Sequence, residues 1–155
     1  MKFPSDQDKK KISQCRGHII SNAVDVEITL GWILRLYFFP KTNRKAATFH
    51  DKILNASHLS FDKKISLYEG ISYFKGLKHY KKIVASLRFV QKYRNAFAHW
   101  STIWVDNDKN EIVIYNTDLS KEIRVNNKNI LEFQENVKFL VKKFGYTRYQ
   151  GDWQL

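Results

Sequence analysis

The chain is short of the residues from which most recognisable sites are built. It has one cysteine, no glycine-rich loop, few acidic residues and no long uninterrupted apolar run. Cys15 has no second cysteine to pair with, which points to a reducing compartment and leaves packing as its role. His18, His50, His58, His79 and His99 are not spaced with cysteines or carboxylates as a zinc site requires, so neither a metal nor another cofactor is expected. Without a phosphate-cradling glycine loop or a Gly-x-Ser-x-Gly elbow, nucleotide hydrolysis and serine-hydrolase chemistry lack support. The most apolar stretch, residues 24–39, is interrupted by Asp25, Glu27 and Arg35, and residues 1–11 are polar and charged. Neither a membrane span nor a secretory signal is expected, and the chain reads as soluble and cytoplasmic.

Acidic residues number 15 against 27 Lys and Arg, a net charge of +12, which favours a polyanionic partner. A hydrophobic content of 43% with 15% aromatics suits a packed core. The length of 155 residues suits one domain.

Apolar residues recur near helical spacing over 13–38, where Pro40 supplies a stop, and this predicts a long first helix. A basic link over 41–45 leads to a shorter helical pattern around Phe49, Ile53 and Leu54. Ser60 is placed to cap a helix carrying Phe61, Ile65, Leu67 and Ile71, with Gly70 and Gly76 near its end. Residues 77–98 form the best-patterned helix, its apolar stripe running through Tyr80, Ile83, Val84, Leu87, Val90 and Phe97. The opposite face carries Lys78, Lys81, Lys82, Arg88 and Lys92. The period then changes to two over 102–105, 111–115 and 121–125, separated by turn-forming runs, which predicts a small antiparallel meander. Asn126 or Asn127 begins a last helix that Gly145 ends. The expectation is therefore a mainly α bundle, its helical core at about 12–100 and 127–144, with a β insertion at about 102–125.

Counting from Ile83, steps of four and three lead through Leu87 and Val90 to Arg94 and Phe97, placing a guanidinium in the middle of an apolar stripe. A buried unpaired charge costs several kcal/mol, so Arg94 must be paired, hydrogen-bonded or exposed at a site. Asn95 and His99 are one helical turn apart and share a face beside Arg94, close to the helix end. Two structural explanations stand beside a chemical one. His99 could cap the last carbonyls of the helix, and Arg94 could pair with Asp25 or Glu27 of the first helix.

The run Arg94-Asn95-Ala96-Phe97-Ala98-His99 resembles the signature of the HEPN superfamily, an Arg, often followed by Asn, then a few residues and a His near a helix C-terminus. Arg44 to His50 also meets the Arg-to-His spacing but lies in a weakly patterned link after Pro40. The resemblance covers residues 13–100 in order and length. It implies a helical bundle that forms a homodimer, with two motifs facing across a cleft, and in active members a composite site that cleaves RNA without a metal. On that reading His99 moves protons, since imidazoles as a class titrate near neutrality. Arg94 grips the phosphate in a bidentate fork, and Asn95 orients the His or the phosphate. The expected products are a 2′,3′-cyclic phosphate and a 5′-hydroxyl. The resemblance further implies a toxin or antiviral-defence effector held by a cognate antitoxin or defence-system subunit. In members silenced by nucleotidyltransferase antitoxins, a Tyr two places after the His is modified. Ser101 stands at that place here, which argues against that route of control.

Lys78, Lys81, Lys82, Arg88 and Lys92 are the expected lining of an RNA groove, with Trp100 and Ser101 next to His99. Trp104, Tyr115, Tyr146, Tyr149 and Trp153 offer further ring faces for unpaired bases. Two other readings stay open. One is a HEPN-like module that binds nucleic acid, nucleotide or protein without catalysis. The other is an adaptor whose charge serves an acidic protein.

Overall fold

The computed structural model describes residues 4–41, 43–56, 59–100, 102–106, 111–116 and 119–145. It is mainly helical, with a three-stranded antiparallel sheet inserted before the last helix.

Helix α1 spans Asp6–Phe38 and begins earlier than apolar periodicity predicts. The Ser5 hydroxyl accepts the Asp8 N–H, and the Asp8 carboxylate accepts the Ser5 N–H at 3.0 Å, which closes a capping box. Asp6 and Asp8 also place negative charge at the positive end of the helix dipole. A hydrophobicity pattern cannot see this polar start. Ile12, Cys15, Ile19, Ala23, Val26, Leu30 and Leu34 follow at steps of three and four, and all are buried.

Helix α2, Arg44–Phe49, is capped by the Asn43 side chain, which accepts the Ala46 N–H at 2.9 Å. It runs on as a π turn over His50–Leu54, where the Asn55 N–H reaches back five residues to the His50 carbonyl. Helix α3 is Phe61–Gly70, capped by Ser60, and α4 is the single turn Ser72–Lys75.

Helix α5 spans Tyr80–His99. It starts later than the expected position 77 because His79 adopts φ 69°, a left-handed conformation that a right-handed helix cannot continue through. Lys78 therefore precedes the helix instead of riding on it.

Strands β1 (Thr102–Asp106), β2 (Glu111–Tyr115) and β3 (Glu122–Val125) form the predicted meander, with Trp104 opposite Val113 and Ile114 opposite Ile123. Arg124 crosses all three strands, 2.8 Å from Glu122, 3.6 Å from Glu111 and 3.9 Å from Asp106. Helix α6, Asn127–Phe144, is capped by Asn126 and ends at Gly145, whose φ of 71° is the left-handed stop that glycine tolerates.

The core joins helices and sheet. Ile19, Leu30, Leu87, Phe97, Phe133 and Leu140 pack in one cluster with Ile112, Ile114, Ile123 and Val125. Burying one such side chain contributes about 1.5–3 kcal/mol, so this continuous cluster fixes the helix arrangement.

Cross-links give the helix directions. Arg16 meets Ala98, while further along α1 Glu27 meets Lys64 of α3 at 2.9 Å, and α3 meets α5 at Arg88. Helix α1 is thus antiparallel to α5. The Tyr93–Phe133 pair and the contact of Lys82 with Phe139 make α6 antiparallel to α5 as well. The start of α1, the start of α6 and the end of α5 therefore meet at one end of the bundle. Among the described residues, no helix is long and apolar enough to cross a membrane.

Candidate functional site

That end of the bundle holds the three polar residues of the motif. Arg94 Nη1 donates to Asn95 Oδ1 at 3.0 Å and lies 3.3 Å from His99 Nε2. Arginine has no acceptor, so this contact is a hydrogen bond only when Nε2 is the unprotonated ring nitrogen. Arg94 and Asn95 are half-buried and His99 is exposed, so the cluster opens to solvent.

Arg94 is not in the middle of the buried stripe. A step of three from Val90 reaches Tyr93, which is buried, and the core row runs Leu87, Val90, Tyr93, Phe97. Because the helical period lies between three and four, the count admits either residue, and packing selects Tyr93. Arg94 rides the edge of that row, where its charge reaches water.

The structural explanations fare differently from what the sequence allowed. Glu27 accepts from Lys64, and among the described residues no carboxylate pairs with Arg94. The end of α5 is closed by the Trp100 N–H on the Ala96 carbonyl at 3.0 Å and by Arg16 Nη2 on the Ala98 carbonyl at 3.3 Å. The His99 ring instead faces Arg94. Arg16 was not foreseen from the sequence, because its link to the site spans 82 positions and follows only from antiparallel packing. Nη1 of Arg94 serves both of its partners, which leaves the Nε and Nη2 edge for an anion in a bidentate fork.

The expected RNA-binding residues do not form one groove. Arg88 is removed from it, because its guanidinium bonds Asp62 at 2.6 Å, Ser66 at 3.1 Å and the Glu69 carboxylate, tying α5 to α3. Hydrogen bonds from Gln91 and Arg88 in turn hold the Asp62 carboxyl below its usual range. Lys78, Lys81 and Lys82 are exposed at the opposite end of α5, and Lys81 and Lys82 lie roughly 26 Å along the helix from His99 at 1.5 Å per residue. There Lys82 Nζ lies 4.6 Å from the Phe139 ring. His79 is held below the ordinary histidine value, first by desolvation and then by Lys143, Lys78 and Lys82, which marks a separate basic patch.

Lys92 alone of the set is near the motif. It is exposed, stands about 10 Å along the axis from His99, and shares a helical face with Asn95 and His99 at steps of three and four. Trp100 is half-buried against the core, so packing occupies much of its ring. Trp104 and Tyr115 are half-buried on β1 and β2. Ser101, Tyr146, Tyr149 and Trp153 lie outside the described residues.

The second Arg-to-His match is not assembled in this way. His50 is buried and stacked on Trp32 with ring centres 3.9 Å apart, and its Nδ1 is 3.1 Å from Asp51. Arg44 instead lines a surface hollow with Lys45 and Lys52. Cys15 is buried, which pushes its thiol up to about 12 and keeps it from acting as a thiolate. Among the described residues, no three His, Cys, Asp or Glu side chains stand together as metal ligands.

No family model, curated protein or solved structure matches the chain.

Proposed function

We propose that the chain is a HEPN-like, metal-independent endoribonuclease that acts through Arg94, Asn95 and His99. The observation that carries this reading is the hydrogen-bonded Arg94–Asn95–His99 cluster on an open helix end, in a strongly basic chain. A guanidinium held beside an exposed imidazole suits the transfer that RNA's 2′-hydroxyl allows. The 2′-oxygen bonds phosphorus as the P–O5′ bond breaks, giving a 2′,3′-cyclic phosphate and a 5′-hydroxyl. Two protons must move, one from the 2′-oxygen and one to the 5′-oxygen. His99 accepts the first at Nε2 once that nitrogen is unprotonated and its lone pair turns from Arg94 Nη1 to the 2′-hydroxyl. Arg94 offers its free edge to the charge that builds on the phosphoryl oxygens. Asn95 orients Arg94.

A second imidazole is needed to donate the other proton, and a homodimer would supply it. On α1, Val24, Ile28, Trp32 and Leu36 recur at steps of four and all remain exposed, in a row that starts about 12 Å beyond Arg16 and runs away from the motif. An apolar row of this kind would suit association of two chains through α1. The biological setting implied by the resemblance is a toxin or antiviral-defence effector, controlled by a cognate antitoxin or defence-system subunit and working on tRNA or mRNA.

The test is cleavage of total RNA and purified tRNA in EDTA by wild type, Arg94→Ala and His99→Ala of equal thermal stability, with end-group analysis and sedimentation. Cyclic-phosphate ends from wild type alone are expected. Equal traces from all three proteins, or 5′-phosphate ends that require a metal, would replace this reading with a non-catalytic binding module.

A further inference from the structure

A second guanidinium reaches the same helix end from α1. Arg16 Nη2 donates to the Ala98 carbonyl at 3.3 Å, so it lies against the peptide that leads into His99. Arg94 approaches the ring of His99 and Arg16 approaches its main chain. Arg16 is exposed, and among the described residues this carbonyl is its hydrogen-bond partner. The bond to Ala98 uses one of the two Nη2 hydrogens, so the other, with either Nε or Nη1, still offers one two-pronged edge, which suits a phosphate better than a lone carbonyl. Lys9 stands seven residues earlier, about 10 Å along α1 and on nearly the same face, where its ammonium pairs with Asp6 at 2.9 Å, so Arg16 is the cation of α1 that faces the site. Lys81 and Lys82, by contrast, are at the far end of α5.

Building on the ribonuclease reading, we propose that Arg16 is an RNA-binding residue that holds the phosphate next to the scissile one. Arg94 and Arg16 then grip two successive phosphates of a single strand beside His99. The substrate class that follows is single-stranded RNA with at least two phosphates, read by its backbone.

The experiment compares kcat/KM for a dinucleoside monophosphate, which has only the scissile phosphate, with that for the trinucleoside diphosphate. Wild type, Arg16→Gln and Arg16→Lys are measured, together with their melting temperatures. Wild type should favour the longer substrate, and Arg16→Gln should shrink that preference about tenfold, mainly through KM, which is at the lower end for hydrogen bonds to charged groups. Arg16→Lys should keep part of the preference, since it retains the charge. An unchanged preference in Arg16→Gln, even with both rates lowered alongside thermal stability, would make Arg16 a support for the helix end only and overturn the proposal while leaving the ribonuclease reading intact. A wild type that cuts neither substrate nor longer RNA would overturn both.

Discussion

Arg44 with His50 and Arg94 with His99 are nearly alike as spacings, yet they meet opposite fates. The first pair straddles the change from α2 to a π turn, and His50 turns inward under Trp32 while Arg44 faces a surface hollow. The buried Nε2 of His50 has no hydrogen-bond partner among the described residues. The second pair closes a regular helix, and His99 stays exposed with Nε2 turned to Arg94. Chemistry on a substrate needs a ring nitrogen that solvent can reach and a cation that holds it. Only the second pair meets both conditions, and spacing alone does not distinguish them.

The comparison breaks most sharply on the two histidines. His99→Ala should lower RNA cleavage by about 10²- to 10⁴-fold, the usual range for a lost acid–base group. His50→Phe should leave cleavage unaltered, because it keeps a ring against Trp32. It removes the buried Nε2 that has no partner, which offsets the loss of the Nδ1 contacts with Asp51 and Asn55, so its melting temperature should change little. Single-turnover cleavage and thermal melts check both variants, and a reversed pattern would move the site to His50.

The next effect concerns Arg94. Arg94→Lys keeps the charge but loses the fork that bonds Asn95 and His99 while offering a second edge to phosphate. A loss of about 10²-fold in kcat is expected, on the scale of removing one preorganised donor from a reacting oxyanion. The matching change in the other pair, Arg44→Lys, should move kcat less than twofold.

Arg88 tests whether a cation on α5 serves stability or substrate. Arg88→Ala should cost about 1–3 kcal/mol in denaturant unfolding, since Asp62 and Glu69 lose their shared partner. RNA affinity should be unmoved at temperatures where the fold is intact. The same contacts predict an acid limb. The folded Asp62 carboxyl lies below its ordinary value, so its stabilising effect is complete above the unfolded carboxylate pKa of about 3.9 and is lost as pH falls through the lower folded value. Acid titrations of wild type and Asp62→Asn should therefore converge at low pH.

The helices, the meander, the Ser60 cap and the Gly145 stop were legible because each rests on local pattern or on a residue with one conformational use. The start of α1 was not, because a Ser–Asp capping box lies outside apolar periodicity. The start of α5 was not, because nothing in the type of residue 79 announces a positive φ. Within the site, Arg94, Asn95 and His99 were legible as neighbours on one helix. The choice of Tyr93 over Arg94 for the core, the capture of Arg88 by α3 and the arrival of Arg16 all depend on other helices. Those three are tertiary facts, and a count along one helix cannot contain them.

The smallest expected effect separates the two ends of α5. Each cation that neutralises one RNA phosphate lowers the slope of log affinity against log salt by about 0.7 for a single strand. Lys92 shares the face of Asn95 and His99, so Lys92→Ala should reduce the slope by about that amount and weaken binding of an uncleavable 2′-deoxy strand a few-fold. Lys81 and Lys82 lie near the patch that surrounds His79, far from the motif. The double variant Lys81→Ala/Lys82→Ala removes twice the charge, and on net charge alone it should have the larger effect. If position along α5 governs contact, the single change at Lys92 must outweigh the double change. A larger slope change from the double variant would mean that the strand follows the start of α5, and that the basic patch around His79 belongs to the substrate path.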